Sequence, residues 1–197
     1  MADVINVANL FLSLAEDQAN NDLGDLMTDM KLQKMLYFAQ CWHLVRHGRP
    51  LFQNKIEAWQ HGPVIPDAYA FYRNYGRNQI HSKPVQYEAF TEEELETILD
   101  VFQYYGRYSA SWLRELSHKK GTPWDQVYQP NTMHIEILPD SLKTYYSKQE
   151  PLETFSDRLH RKILEEKIAI AIPKRNADHV AVLPADEYED WGDGDGD

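Results

Sequence analysis

Apolar side chains at Val4, Val7, Ala8, Phe11, Leu14 and Ala15 recur every three or four residues, which predicts an amphipathic helix over residues 3–19. Asn20, Asn21 and Gly24 mark its exit. Thr28 is placed to cap a second helix, and Asp29 suits the electropositive first turn. In that helix Leu32, Met35, Leu36, Ala39 and Trp42 form one stripe. Tyr37, Phe38, Cys41, Leu44 and Val45 carry the apolar surface round most of the circumference. A helix that is apolar nearly all round is buried on most sides, so the segment from about 28 to 47 is expected at the centre of the domain. Gly48 suits the left-handed position that ends such a helix.

Downstream the periods alternate. Lys55 to Trp59 alternates polar and apolar and predicts a short strand. His61 to Pro66 reads as a turn, with Pro66 opening a helix lined by Ile65, Tyr69 and Tyr72 and ended by Gly76. Residues 77–90 read as a loop or irregular hairpin. Thr91 with Glu94 makes a capping box that launches Leu95, Ile98, Leu99, Phe102 and Tyr105. Ser109 or Ser111 starts a short helix to about His118, and Thr122-Pro-Trp-Asp125 reads as a capped turn or helix. Met133 to Leu138 suits a short strand, and Pro139 opens a helix to about Lys148. A last helix is expected from Thr154 or Ser156 through Glu166, then a β-hairpin from Ile168–Ile172 and Val180–Val182, with continuation of the helix to Ile172 as the alternative. The expected fold is α+β and predominantly α-helical, a bundle of six or seven helices around the central one with small β-hairpin elements. Residues 1–148 make the domain, 149–184 an extension, and 185–197 an acidic disordered tail.

Composition narrows the function class. Of 197 residues, 43% are hydrophobic and 26% charged, enough to bury a core. The net charge is −11, and the last twelve residues hold seven acids and no base. That balance disfavours a polyanionic ligand, so no direct nucleic-acid contact is expected. The single cysteine, Cys41, forms no intrachain disulfide and sits in an apolar helix, as a buried thiol does. No apolar run approaches the ~18 residues of a spanning helix, and the first basic residue is Lys31, so neither membrane span nor secretory leader is expected. Cytoplasmic residence fits.

Four blocks in order carry a resemblance. Lys31-Leu-Gln-Lys-Met-Leu-Tyr-Phe-Ala39 with Trp42, Gly48-Arg-Pro-Leu-Phe52, Glu57-Ala-Trp59 and Gly62-Pro-Val64 resemble the Panacea antitoxin domain, the SocA-like family also met as a phage-associated protein. Leu116, Ser117, His118, Pro123 and Trp124 look like its later motif, although Lys119-Lys-Gly121 stands where an acidic residue is expected. Asn9 and Ala15 fit its first helix, and the resemblance covers residues 6–148. It implies a non-enzymatic antitoxin that neutralises a toxin, encoded beside it, by direct protein–protein contact.

The residues themselves leave alternatives open. Lys31 and Lys34 with Tyr37 form either a polar edge with the lysine heads in water or a partner-facing strip. Tyr69, Tyr72 and Arg73 are further candidate partner anchors, because Tyr and Arg dominate binding hot spots. Tyr188 and Trp191 make the acidic tail a candidate polyanion mimic, against a plain solubilising tail. Trp42 and Trp59 are expected in the core. His43 and His47, four apart, lack the further ligands a metal needs, and Asp193–Asp197 stops short of a calcium loop. No catalytic residue, metal or cofactor is expected. Two rival classes remain: an adaptor delivering a client protein to a protease or other complex, and an enzyme with a histidine-based site drawn from His61, His118 or His134.

Overall fold

The computed structural model describes residues 1–21, 26–132, 134–152 and 157, all within one compact unit, Met1–Arg158. The last helix, the late hairpin and the acidic tail with Tyr188 and Trp191 lie outside the described residues. Among the described residues there are seven α-helices and one two-stranded antiparallel sheet. In chain order they are α1 (Val4–Asn20), α2 (Asp29–His47), β1 (Glu57–Trp59), β2 (Gly62–Val64), α3 (Pro66–Tyr72), α4 (Glu92–Tyr105), α5 (Ala110–His118), α6 (Pro123–Val127) and α7 (Pro139–Tyr146). The architecture is the expected one, predominantly helical with a small β-element.

The centre is α2. Every residue from Leu32 to Leu44 is buried, and α1, α3, α4, α5, α7 and β2 all pack on it. Its ring-bearing side chains interlock with those of its neighbours. Phe38 stacks on Tyr105 at 4.3 Å, and Tyr37, Phe38 and Trp42 meet Tyr146 edge-on. Trp42 donates its indole N–H to the Tyr105 hydroxyl at 3.1 Å, which satisfies the polar tips that aromatic burial would otherwise strand. Gly48 takes the left-handed conformation, φ 70°, and returns its N–H to the Leu44 carbonyl. Cys41 is buried, as expected.

Local signals fix most helix ends. Asp3 caps α1 by accepting from the Asn6 N–H, and Ser109 rather than Ser111 caps α5. Thr91 and Glu94 form the reciprocal capping box of α4. Thr28 is different: it occupies the N-cap position without a side-chain bond and forms a β-bridge to Gln79. Gly62–Val64 also differs from the turn expected there. It is a strand, paired Glu57 with Val64, Ala58 with Pro63 and Trp59 with Gly62, so the turn shrinks to Gln60 and His61. The Met133–Leu138 strand reduces, among the described residues, to a bridge between Glu57 and Glu136. Two backbone bonds, Ala58 N–H to Ile135 and Ile137 N–H to Ile56, cover the outer edge of β1. Among the described residues, no helix is long and apolar enough to cross a membrane.

Candidate partner interface

A helix buried all round should carry no polar residues, yet α2 buries Gln33, Lys34, Gln40 and His43. Each meets a group far away in sequence, although the second ring nitrogen of His43, Nε2, is buried without a partner. Gln33 Oε1 accepts the Ile65 N–H at 2.9 Å, and Lys34 Nζ donates to the Pro63 carbonyl at 2.9 Å. These two bonds seal the outer edge of β2, whose backbone groups would otherwise be orphaned beside an apolar helix. Gln40 does the same for the Leu51–Phe52 loop: its Oε1 accepts both N–H groups and its Nε2 donates to the Phe52 carbonyl. His43 Nδ1 meets the Thr97 hydroxyl at 3.1 Å. The polar positions of α2 are therefore clamps on the chain that folds round it.

This corrects the partner strip. Lys34 and Tyr37 are 1% and 0% exposed, and Tyr72, 1% exposed, spends its hydroxyl on Asn9. None offers surface to a partner; they support surface made by others. Neither does Lys34 hold its head in water, as a polar edge would require. Burial drives its pKa down to about 7, with Arg114 adding to the fall and Asp29 opposing it. Asp29, held by Gln33 Nε2, is moved up by burial, against Gln33 and Lys34. Of the other candidates, Arg73 is exposed, Tyr69 is half-buried edge-on to Trp59 at 4.9 Å, and Lys31 is half-buried with Nζ on the Gly106 carbonyl. Trp42 lies in the core, whereas Trp59 is half-buried at its margin.

The surface supplies two features that spacing did not reveal. The first is an aromatic ridge across the α4–α5 junction. Tyr104 and Trp112 are 36% and 41% exposed, Tyr108 stacks on Trp112 at 3.9 Å, and the Arg107 guanidinium lies over both tyrosines. A Trp on the polar side of an amphipathic helix was the available signal. The second feature is the corner where the β1–β2 turn meets α5. Gly62 there has φ +98°, and a Cβ would lie 2.9 Å from both Lys34 Cε and Ser117 Oγ, so only glycine fits. The ring nitrogens of His118 face the Arg114 carbonyl at 2.7 Å and the Gln60 carbonyl at 3.2 Å. Trp124, its ring tilted against His118 at 3.7 Å, donates to the Trp59 carbonyl. His61, at the turn, is pushed down by burial first, then by Arg114, Lys34 and His118. Every resemblance block except Gly48–Phe52 thus contributes to this one corner.

Ser117 lies 3.3 Å from His118 Nδ1, but it is fully buried and donates to the Arg114 carbonyl. A groove of about 810 Å³ is lined by Glu92, Glu93, Leu95, Glu96, Leu99 and Asp100 among others, and no histidine lines it. Among the described residues, no group of three or more His, Cys, Asp and Glu side chains could hold a metal ion.

The model of the antitoxin SocA-like Panacea domain matches residues 32–125, from the first turn of α2 into α6. Antitoxin SocA of Caulobacter vibrioides (strain NA1000 / CB15N) is 35% identical over 136 residues, 64% of this chain and 70% of that protein. No solved structure matches the chain. The matched region takes in the α2 clamps, the hairpin they hold and α5, and on this ground the chain belongs to the SocA-like antitoxin family that carries the Panacea domain.

Proposed function

We propose that this protein is an antitoxin that neutralises a toxin protein by direct binding and catalyses nothing itself. The observation that carries the reading is the 35% identity to an antitoxin over 136 residues. The surface is consistent with it. Tyr, Trp and Arg supply most of the energy of protein interfaces, and the ridge of Tyr104, Arg107, Tyr108 and Trp112 presents these types together. An interface of ~800 Å² per partner reaches well beyond a single helix. Lys31, whose ammonium sits on the Gly106 carbonyl next to Arg107, and Tyr69, edge-on to Trp59, are kept as contacts. Arg73 is kept as a peripheral one. Tyr188 and Trp191 in the acidic tail are proposed to enter a basic pocket of the toxin, and the protein is proposed to act in the cytoplasm.

The test is co-expression of the adjacent open reading frame with and without this protein. The expected result is growth arrest by the neighbour alone, rescue by this protein, and co-purification as a stable complex. Trp112→Ala combined with Tyr104→Ala should abolish rescue while leaving the thermal midpoint within a few degrees, because these two side chains are 41% and 36% exposed. A harmless neighbour overturns the reading. Rescue accompanied by rapid loss of the neighbour's product points instead to an adaptor that delivers a client for degradation.

A further inference from the structure

We propose that the corner between the β1–β2 turn and α5 receives a carboxylate from a bound protein segment, while an apolar side chain of that segment seats in the adjoining Trp59–Tyr128 groove. The identity of the segment's owner rests on the toxin-binding reading; the carboxylate site does not.

Four cationic or protonatable groups surround Gly62. Lys34 lies beneath it, His61 is exposed at the turn, and Arg114 and His118 stand one turn apart on α5. The fixed acids facing them are few. Asp29 lies by Lys34, and Glu115 takes Arg114 Nη1 at 2.7 Å. Glu57, on β1, is already engaged by Trp59 and His134. Arg114 Nε is buried and has no hydrogen-bond acceptor. A buried donor without a partner is costly, so this guanidinium gains from an added acceptor. The Arg114–Glu115 pair joins sequence neighbours at the surface, where such pairs contribute little. The guanidinium can therefore turn from Glu115 to an incoming carboxylate and offer it two parallel N–H groups, the geometry that suits this anion best.

A single carboxylate fits better than a nucleic-acid strand. The chain carries −11 overall, so a polyanion meets long-range repulsion that one acidic side chain largely escapes. The neighbouring surface is also shaped for a peptide. His118 lies tilted against Trp124 at 3.7 Å and Trp124 stacks on Tyr128 at 4.4 Å, a row of rings leading from the corner to an open groove of about 510 Å³. Ala58, Trp59, Gln60, Tyr128 and Pro130 line that groove. Gln60 belongs to both parts, since its carbonyl also faces His118. The recognised feature is thus an acidic residue within a few positions of an apolar one.

The test uses the full chain, isotope-labelled, in an NMR titration with the capped tripeptide acetyl-Leu-Asp-Leu-amide. Its asparagine counterpart, inorganic phosphate and a single-stranded DNA oligonucleotide serve as comparisons. The expected result is selective shifts at Gln60, His61 and Gly62, with a rise in the His61 titration midpoint as the added anion offsets its cationic neighbours. The asparagine peptide should bind at least about tenfold more weakly, as should the aspartate peptide to Arg114→Gln, the loss expected when a hydrogen-bonded charge is removed. Equal binding of the two peptides, stronger binding of phosphate or DNA, or shifts mapping elsewhere would overturn the proposal. A second arm measures the toxin complex. If it forms and Arg114→Gln with His61→Gln binds with unchanged affinity and salt dependence, the carboxylate site is refuted and the antitoxin reading stands. If the tripeptide binds as expected and the neighbouring gene product does not, the antitoxin reading fails and the site survives.

Discussion

Replacing Lys34 by Met tests whether a charge-bearing clamp under the hairpin has the energetic signature that its burial requires. Inside the fold burial pushes the Lys34 pKa down to about 7, against an ordinary value of 10.5. At ~1.4 kcal/mol per pKa unit, the protonated form is disfavoured by ~5 kcal/mol. The unfolded chain therefore binds more protons than the native one between about pH 7 and 10.5, and stability must rise with pH across that window. From about pH 7 to about pH 9.5 the penalty falls from ~4 to ~1.5 kcal/mol, a gain of ~3 kcal/mol. Lys34→Met removes this pH dependence and leaves the Pro63 carbonyl without its donor, so the two chains should differ in slope whatever their difference at neutral pH. Cys41 and the buried tyrosines, held protonated by burial, cost the fold stability at alkaline pH, but they do so in both chains and cancel in the comparison. Urea unfolding at the two pH values measures the difference directly. Wild type should gain ~3 kcal/mol relative to the variant, and parallel curves, within ~1 kcal/mol, would refute the account of Lys34 as a buried amine.

Three further outcomes follow from the same packing. Gly62→Ala sets a Cβ against Lys34 and Ser117 at a left-handed backbone position, and should cost ~1–3 kcal/mol, read as a fall in thermal midpoint. Gln40→Ala strips the partners from two backbone N–H groups and one carbonyl of the Leu51–Phe52 loop, and should cost ~3 kcal/mol in urea unfolding, far beyond a surface Gln. The pKa of His43 is pushed down to about 4, by burial first and then by His47 and Arg49, against an ordinary value of 6.5. Because the unfolded chain takes up its proton first, the fold should lose ~3 kcal/mol on this account as pH falls from about 6.5 to 4. Denaturation curves of His43→Gln should show a correspondingly shallower acid slope.

Among the described residues, the sequence by itself determined the helices and the depth of the central one. Periodicity in α1 and α4, the Thr91–Glu94 box and Gly48 are local, since each depends on contacts within a turn or two of the chain. The near-continuous apolar surface of α2 also fixed its central position, because no other placement removes that much surface from water. Where the polar side chains of α2 go was not legible. Spacing places Gln33, Lys34 and Gln40 on a helix, but only the chain that packs there decides whether each reaches water or a backbone group. The same holds for β2: Gly62 and Pro63 read as a turn on local preference, and become a strand because β1 pairs one edge while Gln33 and Lys34 seal the other. The electropositive corner draws on residues 34, 61, 114 and 118, which no local pattern links. Backbone groups must be satisfied wherever they are buried, and which partner satisfies them is settled only when distant segments meet.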